Sequence, residues 1–238
     1  LENLEKPVII TGSQLPVGDL RTDAKENLIT SIQLASLQEE EQAVIQEVAI
    51  YFEYKLYRGN RATKISTDNF EAFYSGNFPP LAESGVRLNV HKERLWRNPS
   101  GNPFKIHTTM ASTLLFVSLY PGISPASLAH LFDSPGIKLV ILETFGAGNA
   151  PTDHAFLNLI QEKIKQGIVF INLTQCLVGR VEMGLYETSS SLKSMGVISA
   201  ADMTRESCIT KSMYLLGQEV NSSVFEQMFT TSLRGELS

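Results

Sequence analysis

Lys64 carries the sharpest chemical signal in this sequence of 238 residues. It closes the stretch Leu56-Tyr57-Arg58-Gly59-Asn60-Arg61-Ala62-Thr63-Lys64, which follows an apolar strand and precedes the irregular run Asn77-Phe78-Pro79-Pro80. A lysine at the C-terminal end of a buried strand, with Arg58 and Arg61 beside it, meets two pressures against its charged form, desolvation and like charge. Such a lysine can shuttle a proton near neutral pH. The same spacing also suits a surface lysine in a basic turn, so the choice depends on what accompanies it.

The other chemistry-bearing groups are sparse. Gly146-Ala147-Gly148-Asn149-Ala150-Pro151 follows a strand and precedes a helix, but Pro151 stands where a dinucleotide fingerprint needs glycine or alanine. The loop suits a tight turn capped by Asn149, or a helix N-terminus that holds an anion such as a carboxylate. His91, His107, His130 and His154 are scattered and there is no Cys-x-x-Cys, so neither a metal nor an organic cofactor is expected. No Gly-x-Ser-x-Gly elbow is present. Cys176 reads more readily as a small buried side chain beside a strand than as a nucleophile.

The elements that must position these groups follow from periodicity. Pro7 to Thr11 is a β-branched run ending at Gly12, the pattern of a buried parallel strand, and the polar turn Ser13 to Arg21 would lie at its C-terminal end. Thr22 or Asp23 caps a helix whose Leu28, Ile32 and Ala35 fall at i, i+4 and i+7, a face expected in the core. Ala43 to Phe52 is strand-rich, and Tyr51, Tyr54 and Tyr57 are expected to pack. Val86 to Val90 suits an edge hairpin. Between Asn77 and Pro103 turn-formers interrupt the pattern, including Pro99-Ser100-Gly101, and mark a domain boundary.

Beyond that boundary, Leu114 to Tyr120, Ile137 to Glu143 and Ile168 to Leu173 are apolar strands joined by helices opening at Ser124 and at Thr152. Further helices run from Thr188 or Ser189 to Met195, from Arg205 to Gly217, and from Ser223 to Leu233 with a Ser223/Glu226 capping box. The succession predicts a three-layer α/β domain on a parallel sheet. Leu1 to Lys6 reads as the last turn of a helix already begun, and with no initiator methionine the chain is expected to be the C-terminal two-thirds of a longer protein.

Composition bounds the rest. The chain is 43% hydrophobic and 19% charged with a formal charge of −5, and it has no basic stripe for a phosphate backbone. No apolar stretch approaches the about 20 residues that span a bilayer. Cys176 and Cys208 alone make no disulfide framework, which points to the cytosol.

Six motifs occur in a fixed order: Val8-Ile9-Ile10-Thr11-Gly12-Ser13-Gln14-Leu15-Pro16, Leu56 to Lys64, Tyr120-Pro121-Gly122, Gly146 to Pro151, Asn172-Leu173-Thr174-Gln175-Cys176, and Gly196-Val197-Ile198 leading to Ala201-Asp202-Met203-Thr204. Together they resemble the cytoplasmic (type I) L-asparaginases over nearly the whole chain. The resemblance implies the C-terminal portion of a larger, flavodoxin-like α/β domain (residues 1–90), a linker (91–110) and a smaller Rossmann-like domain (111–238). It implies hydrolysis of L-asparagine to aspartate and ammonia, with Lys64 in proton transfer and two catalytic threonine motifs lying upstream of residue 1. Ser13 would contact the substrate amide through its backbone, while Asn149 and Glu143 would border a neighbouring subunit's site in a dimer or dimer of dimers. Thr63 and Cys176 would lie near a regulatory asparagine site. Two other readings stand beside this one: a non-catalytic module that binds a small anion, and a glutamyl-tRNA amidotransferase-type subunit.

Overall fold

The computed structural model describes residues 1–98, 102–184 and 187–238, with only the backbone of Glu187 and Thr188. The turn-formers Pro99, Ser100 and Gly101 lie outside the described residues. Two compact units, Leu1–Thr108 and Thr109–Ser238, make up the chain.

In the first unit the elements are β1 (Val8–Ile10), α1 (Ala24–Ala35), β2 (Gln38–Glu39), β3 (Gln42–Ala43), β4 (Val48–Phe52), β5 (Lys55–Arg58), β6 (Thr63–Lys64), β7 (Phe73–Tyr74), β8 (Ala82–Ser84) and β9 (Leu88–Val90). The main sheet runs β1-β4-β5-β8-β9; β1 lies parallel to β4 and the other pairs are antiparallel. β8 and β9 supply the edge hairpin expected near Val86 to Val90. β4 turns into β5 through Glu53 and Tyr54, whose φ values of 46° and 64° match the two left-handed positions of a tight hairpin turn. Tyr51 and Tyr57 are buried as expected, whereas Tyr54, at the turn, is exposed.

Three local expectations need correction. Leu1 to Lys6 is not a helix end, because Glu2 pairs with Lys105 as an antiparallel bridge. β1 is not buried: it is an edge strand whose Ile9 packs on the core formed by Leu34, Tyr51, Leu56 and Leu81, while Val8 and Ile10 stay exposed. α1 also faces the other way. Leu28, Ile29 and Ile32 are 54%, 64% and 61% exposed, and the buried residues are Asn27, Thr30, Ser31 and Leu34.

The second unit follows the expected pattern closely. Its elements are β10 (Leu114–Ser118), α2 (Pro125–Phe132), β11 (Leu139–Thr144), α3 (His154–Lys165), β12 (Val169–Thr174), α4 (Glu187–Ser194), β13 (Ile198–Ser199), α5 (Arg205–Gly217) and α6 (Ser222–Thr230). The four strands are parallel in the order β10-β11-β12-β13. The period of two in β11 sorts its side chains onto two faces. Val140 and Leu142 pack with Leu128 and Phe132 of α2 and Phe156 and Ile160 of α3. Leu139 and Ile141 pack with Cys208 and Leu215 of α5 and Phe225 and Phe229 of α6. Burial of each such side chain contributes about 1.5–3 kcal/mol, so a strand apolar on both faces is stable only between two helical layers. This is a mixed α/β chain with a three-layer parallel-sheet unit.

Caps differ in detail. Ser124 caps α2 by accepting from Ser127 N–H, as its position predicts. Asp153, not Thr152, caps α3, and Asn221 caps α6 in place of the expected Ser223/Glu226 box. Among the described residues no helix is long and apolar enough to cross a membrane.

Candidate active site

In the first unit, Ser13 follows the C-terminal end of β1, and Thr63 and Lys64 form β6, paired with Tyr74 and Phe73 of β7. Lys64 is exposed, with Nζ 5.9 Å from the centroid of the Phe73 ring. The desolvating environment expected of it is therefore not supplied by this unit. The two arginines do not crowd it either, because both turn inward. Arg58 donates from Nε to Glu47 Oε2 at 2.6 Å and from Nη2 to the Arg94 carbonyl at 2.8 Å, with its guanidinium 4.4 Å from the Phe78 ring. Arg61 is buried against the same ring at 5.5 Å. Gly59 lets this turn close, since a Cβ there would sit 3.0 Å from the Val48 carbonyl oxygen.

The Ser13 loop is tied to the hairpin that carries Lys64. Gln14 Nε2 donates to the Asn69 carbonyl, between β6 and β7, at 2.6 Å. The loop is also anchored from α1. Asp23 accepts the Gln14 N–H at 3.0 Å and the Leu15 N–H at 3.1 Å, and Asn27 Nδ2 donates to the Gly12 carbonyl at 3.0 Å. Of the two caps the sequence offers for α1, Asp23 stands at the N-cap but its side chain makes no cap hydrogen bond, and it is the Thr22 hydroxyl that accepts from Ala24 N–H, at 3.0 Å. Asn27 was missed, because a polar residue inside a helix is usually read as solvent-facing. Behind the loop, burial first and then Asp23, Glu26 and Glu71 push the Glu53 carboxyl above its ordinary value.

In the second unit, Glu143, Asn149 and Cys176 gather at the C-terminal ends of β11 and β12, the end at which open parallel sheets bind ligands. Glu143 is 2% exposed, and its carboxylate receives the guanidinium of Arg205 at the start of α5, with Nε to Oε1 at 2.7 Å. Its backbone carbonyl accepts from Gln175 Nε2 at 3.0 Å. Cys176 is exposed, contrary to the buried position expected, and its N–H donates to Thr174 Oγ1 at 3.0 Å.

Asn149 closes a loop whose carbonyls are taken one after another. Gly146 O accepts from the Thr174 hydroxyl at 2.5 Å and Ala147 O from Glu182 N–H at 3.0 Å. Gly148 O accepts from Asn172 Nδ2, and Asn149 O from Phe145 N–H, both at 2.9 Å. Glycine is required at 148, where φ is +107° and a Cβ would lie 2.8 Å from Val181 Cγ1. The frame residues Asn172, Thr174, Gln175 and Arg205 were not singled out for these roles from sequence; the first three lie in a quoted motif, and that was their only signal. Among the described residues no group of three His, Cys, Asp or Glu side chains could hold a metal ion.

Known proteins match this geometry along its full length. The family profile "Asparaginase, N-terminal" matches residues 1–96, and "Glutaminase/Asparaginase C-terminal domain" matches residues 115–229. The chain is 42% identical over 241 residues to "L-asparaginase 1" of Escherichia coli, covering all of the chain and 68% of that protein. It is 38% identical to the "60 kDa lysophospholipase" of Homo sapiens, of which it spans 40%. The crystal structure of L-asparaginase I from Vibrio cholerae superposes with a TM-score of 0.88 at 38% identity, over all of this chain and 69% of that one. By sequence and by fold, then, the chain belongs to the type I L-asparaginase family.

Proposed function

We propose that the protein is an L-asparagine amidohydrolase that converts L-asparagine and water to L-aspartate and ammonia without metal or organic cofactor. The observation that carries this reading is one continuous match to an L-asparaginase at 42% identity over the entire chain, spanning every motif that holds a candidate residue. In this reading a threonine outside residues 1–238 adds to the side-chain carbonyl carbon. The tetrahedral adduct collapses with loss of ammonia, and water then releases aspartate. Lys64 passes the proton together with a second threonine and its neighbouring aspartate, Ser13 meets the side-chain amide through its backbone, and Asn149 and Glu143 reach a substrate held by a neighbouring subunit. Thr63 and Cys176 are each candidates for a part in regulation by asparagine. The working unit is a homodimer or homotetramer in the cytosol.

For the architecture, residues 1–90 are proposed as the C-terminal portion of the asparaginase N-terminal domain, 91–110 as the connection and 111–238 as the C-terminal domain. The open outer edge of β1 and the exposed Leu28, Ile29 and Ile32 support this, because a parallel strand and its flanking helix ordinarily lie under cover. The chain covers 68% of the Escherichia coli relative.

The test is ammonia release from L-asparagine by the intact protein, its Lys64→Met variant and residues 1–238 alone. We expect turnover from the first, a loss of at least about 100-fold in the second, and none from the third. Near-normal turnover by Lys64→Met overturns its role. Binding of aspartate or asparagine by the intact protein without ammonia release favours the non-catalytic module, and full activity of a monomer contradicts a shared site.

A further inference from the structure

We infer that Asp23 and Asn27 are positioning residues that present the Ser13 peptide to the substrate and thereby favour an amide over a carboxylate side chain. The inference rests on the reading of Ser13 as the residue whose backbone meets the substrate amide, and it adds the groups that hold that backbone in place.

Asp23 and Asn27 stand four residues apart at the start of α1, so their side chains lie on one face. That face is turned inward onto the Gly12–Leu15 loop. Asn27 is 1% exposed and uses its donors and its acceptor: Nδ2 donates to Gly12 O at 3.0 Å and to Asp23 Oδ2 at 3.1 Å, and Oδ1 accepts from Glu53 N–H at 3.3 Å. Asp23 takes the N–H groups of Gln14 and Leu15, bonds strengthened by its charge. The Thr22 hydroxyl donates to Leu15 O at 3.1 Å. The chain is thus pinned immediately before and immediately after Ser13. Ser13 itself makes no hydrogen bond among the described residues. Its carbonyl and N–H are left available at the C-terminal end of β1, on a loop that is held from both sides.

The consequence is chemical. A held carbonyl can accept from the N–H of a side-chain amide, and it has nothing to accept from a carboxylate, whose charge it opposes. Sites that pair a polar group of the substrate discriminate strongly against an analogue lacking it. The arrangement also accounts for the exposed apolar residues of α1: with Asn27 and Asp23 turned inward, Leu28, Ile29 and Ile32 must face out.

The experiment compares Asn27→Asp and Asp23→Asn in the intact protein. It measures kcat/KM for L-asparagine, the inhibition constant of L-aspartate, and hydrogen exchange at residues 13–15. We expect kcat/KM for asparagine to fall about tenfold, the scale of one lost hydrogen bond, while aspartate binding changes less than twofold and exchange accelerates. Equal weakening of asparagine and aspartate, or no change in either, overturns the inference. If Asn27→Asp does not fold, Asp23→Asn and Thr22→Val test the same loop from partly exposed positions. If the unaltered protein neither releases ammonia nor binds asparagine, the amidohydrolase reading fails on its own account. Unchanged exchange in the variants would in that case refute the clamp separately.

Discussion

The buried carboxylate of Glu143 is met by the half-exposed guanidinium of Arg205, whose Nε donates to Oε1 at 2.7 Å, joining the end of β11 to the start of α5. Arg205 also lies over the Phe116 ring at 5.3 Å. Removing the arginine leaves a nearly buried carboxylate without its charged partner. Arg205→Ala should cost about 1–3 kcal/mol, and the double variant with Glu143→Gln should cost less than the sum of the two. Urea unfolding of the four proteins measures this, and an additive cycle would show that the pair is not coupled.

Gly148→Ala should destabilise the second unit by about 1–3 kcal/mol, because it adds a Cβ at φ +107° against Val181 Cγ1 and Asn172 Nδ2. Gly146→Ala, where nothing lies within 4 Å of the added Cβ, should cost less, its φ being +50°. Thermal melts of the two variants compare strain plus contact with strain alone. The ranking Gly148 over Gly146 is the expected result, and the reverse would contradict the close approach of Asn172.

Lys211 and Glu236 form a buried ion pair, with Lys211 Nζ also donating to the Thr231 carbonyl at 2.7 Å. Burial alone would raise the Glu236 carboxyl, but the N–H groups of Leu233 and Arg234 and the Lys211 ammonium outweigh it and hold the group below its ordinary 4.5. A carboxylate depressed in the folded state contributes stability that is present above the unfolded value and lost as pH falls through the folded one. Stability should therefore fall below pH 4.5, and Glu236→Gln should flatten that part of the profile. Lys211→Met, which strands the carboxylate, should cost about 3 kcal/mol near neutral pH. Denaturant midpoints across the acid range test both.

Tyr51 and Tyr57 should be among the last tyrosines to ionise. Burial first, then the hydrogen bond to Glu26 at 2.6 Å, pushes Tyr51 up to about 12, and burial does the same for Tyr57. A phenol raised above its unfolded 10.0 favours the fold while protonated, so this contribution is lost as pH climbs from 10 towards 12. Absorbance titration of phenolate in Tyr51→Phe and Tyr57→Phe should remove late-titrating signal. Loss of an early-titrating group would refute the assignment.

Much of this protein was legible in its sequence, and the second unit most of all. Leu139 to Leu142 is apolar at every position, which only a strand covered on both faces permits, and Ser124-Pro125 and Gly167 punctuate the neighbouring helices through purely local geometry. Order and spacing of the motifs carried the family, because each motif is a short contiguous stretch in or beside a strand. The tertiary structure alone decided the directions of side chains whose partners are distant in sequence. It turned α1 so that Asn27 and Asp23 reach back to Gly12, Gln14 and Leu15, and it turned Arg58 to Glu47, leaving Lys64 exposed on its hairpin. Periodicity measures how apolar a face is, whereas the inward face of α1 is set by hydrogen bonds from Asp23 and Asn27 to the partly exposed Gly12–Leu15 loop.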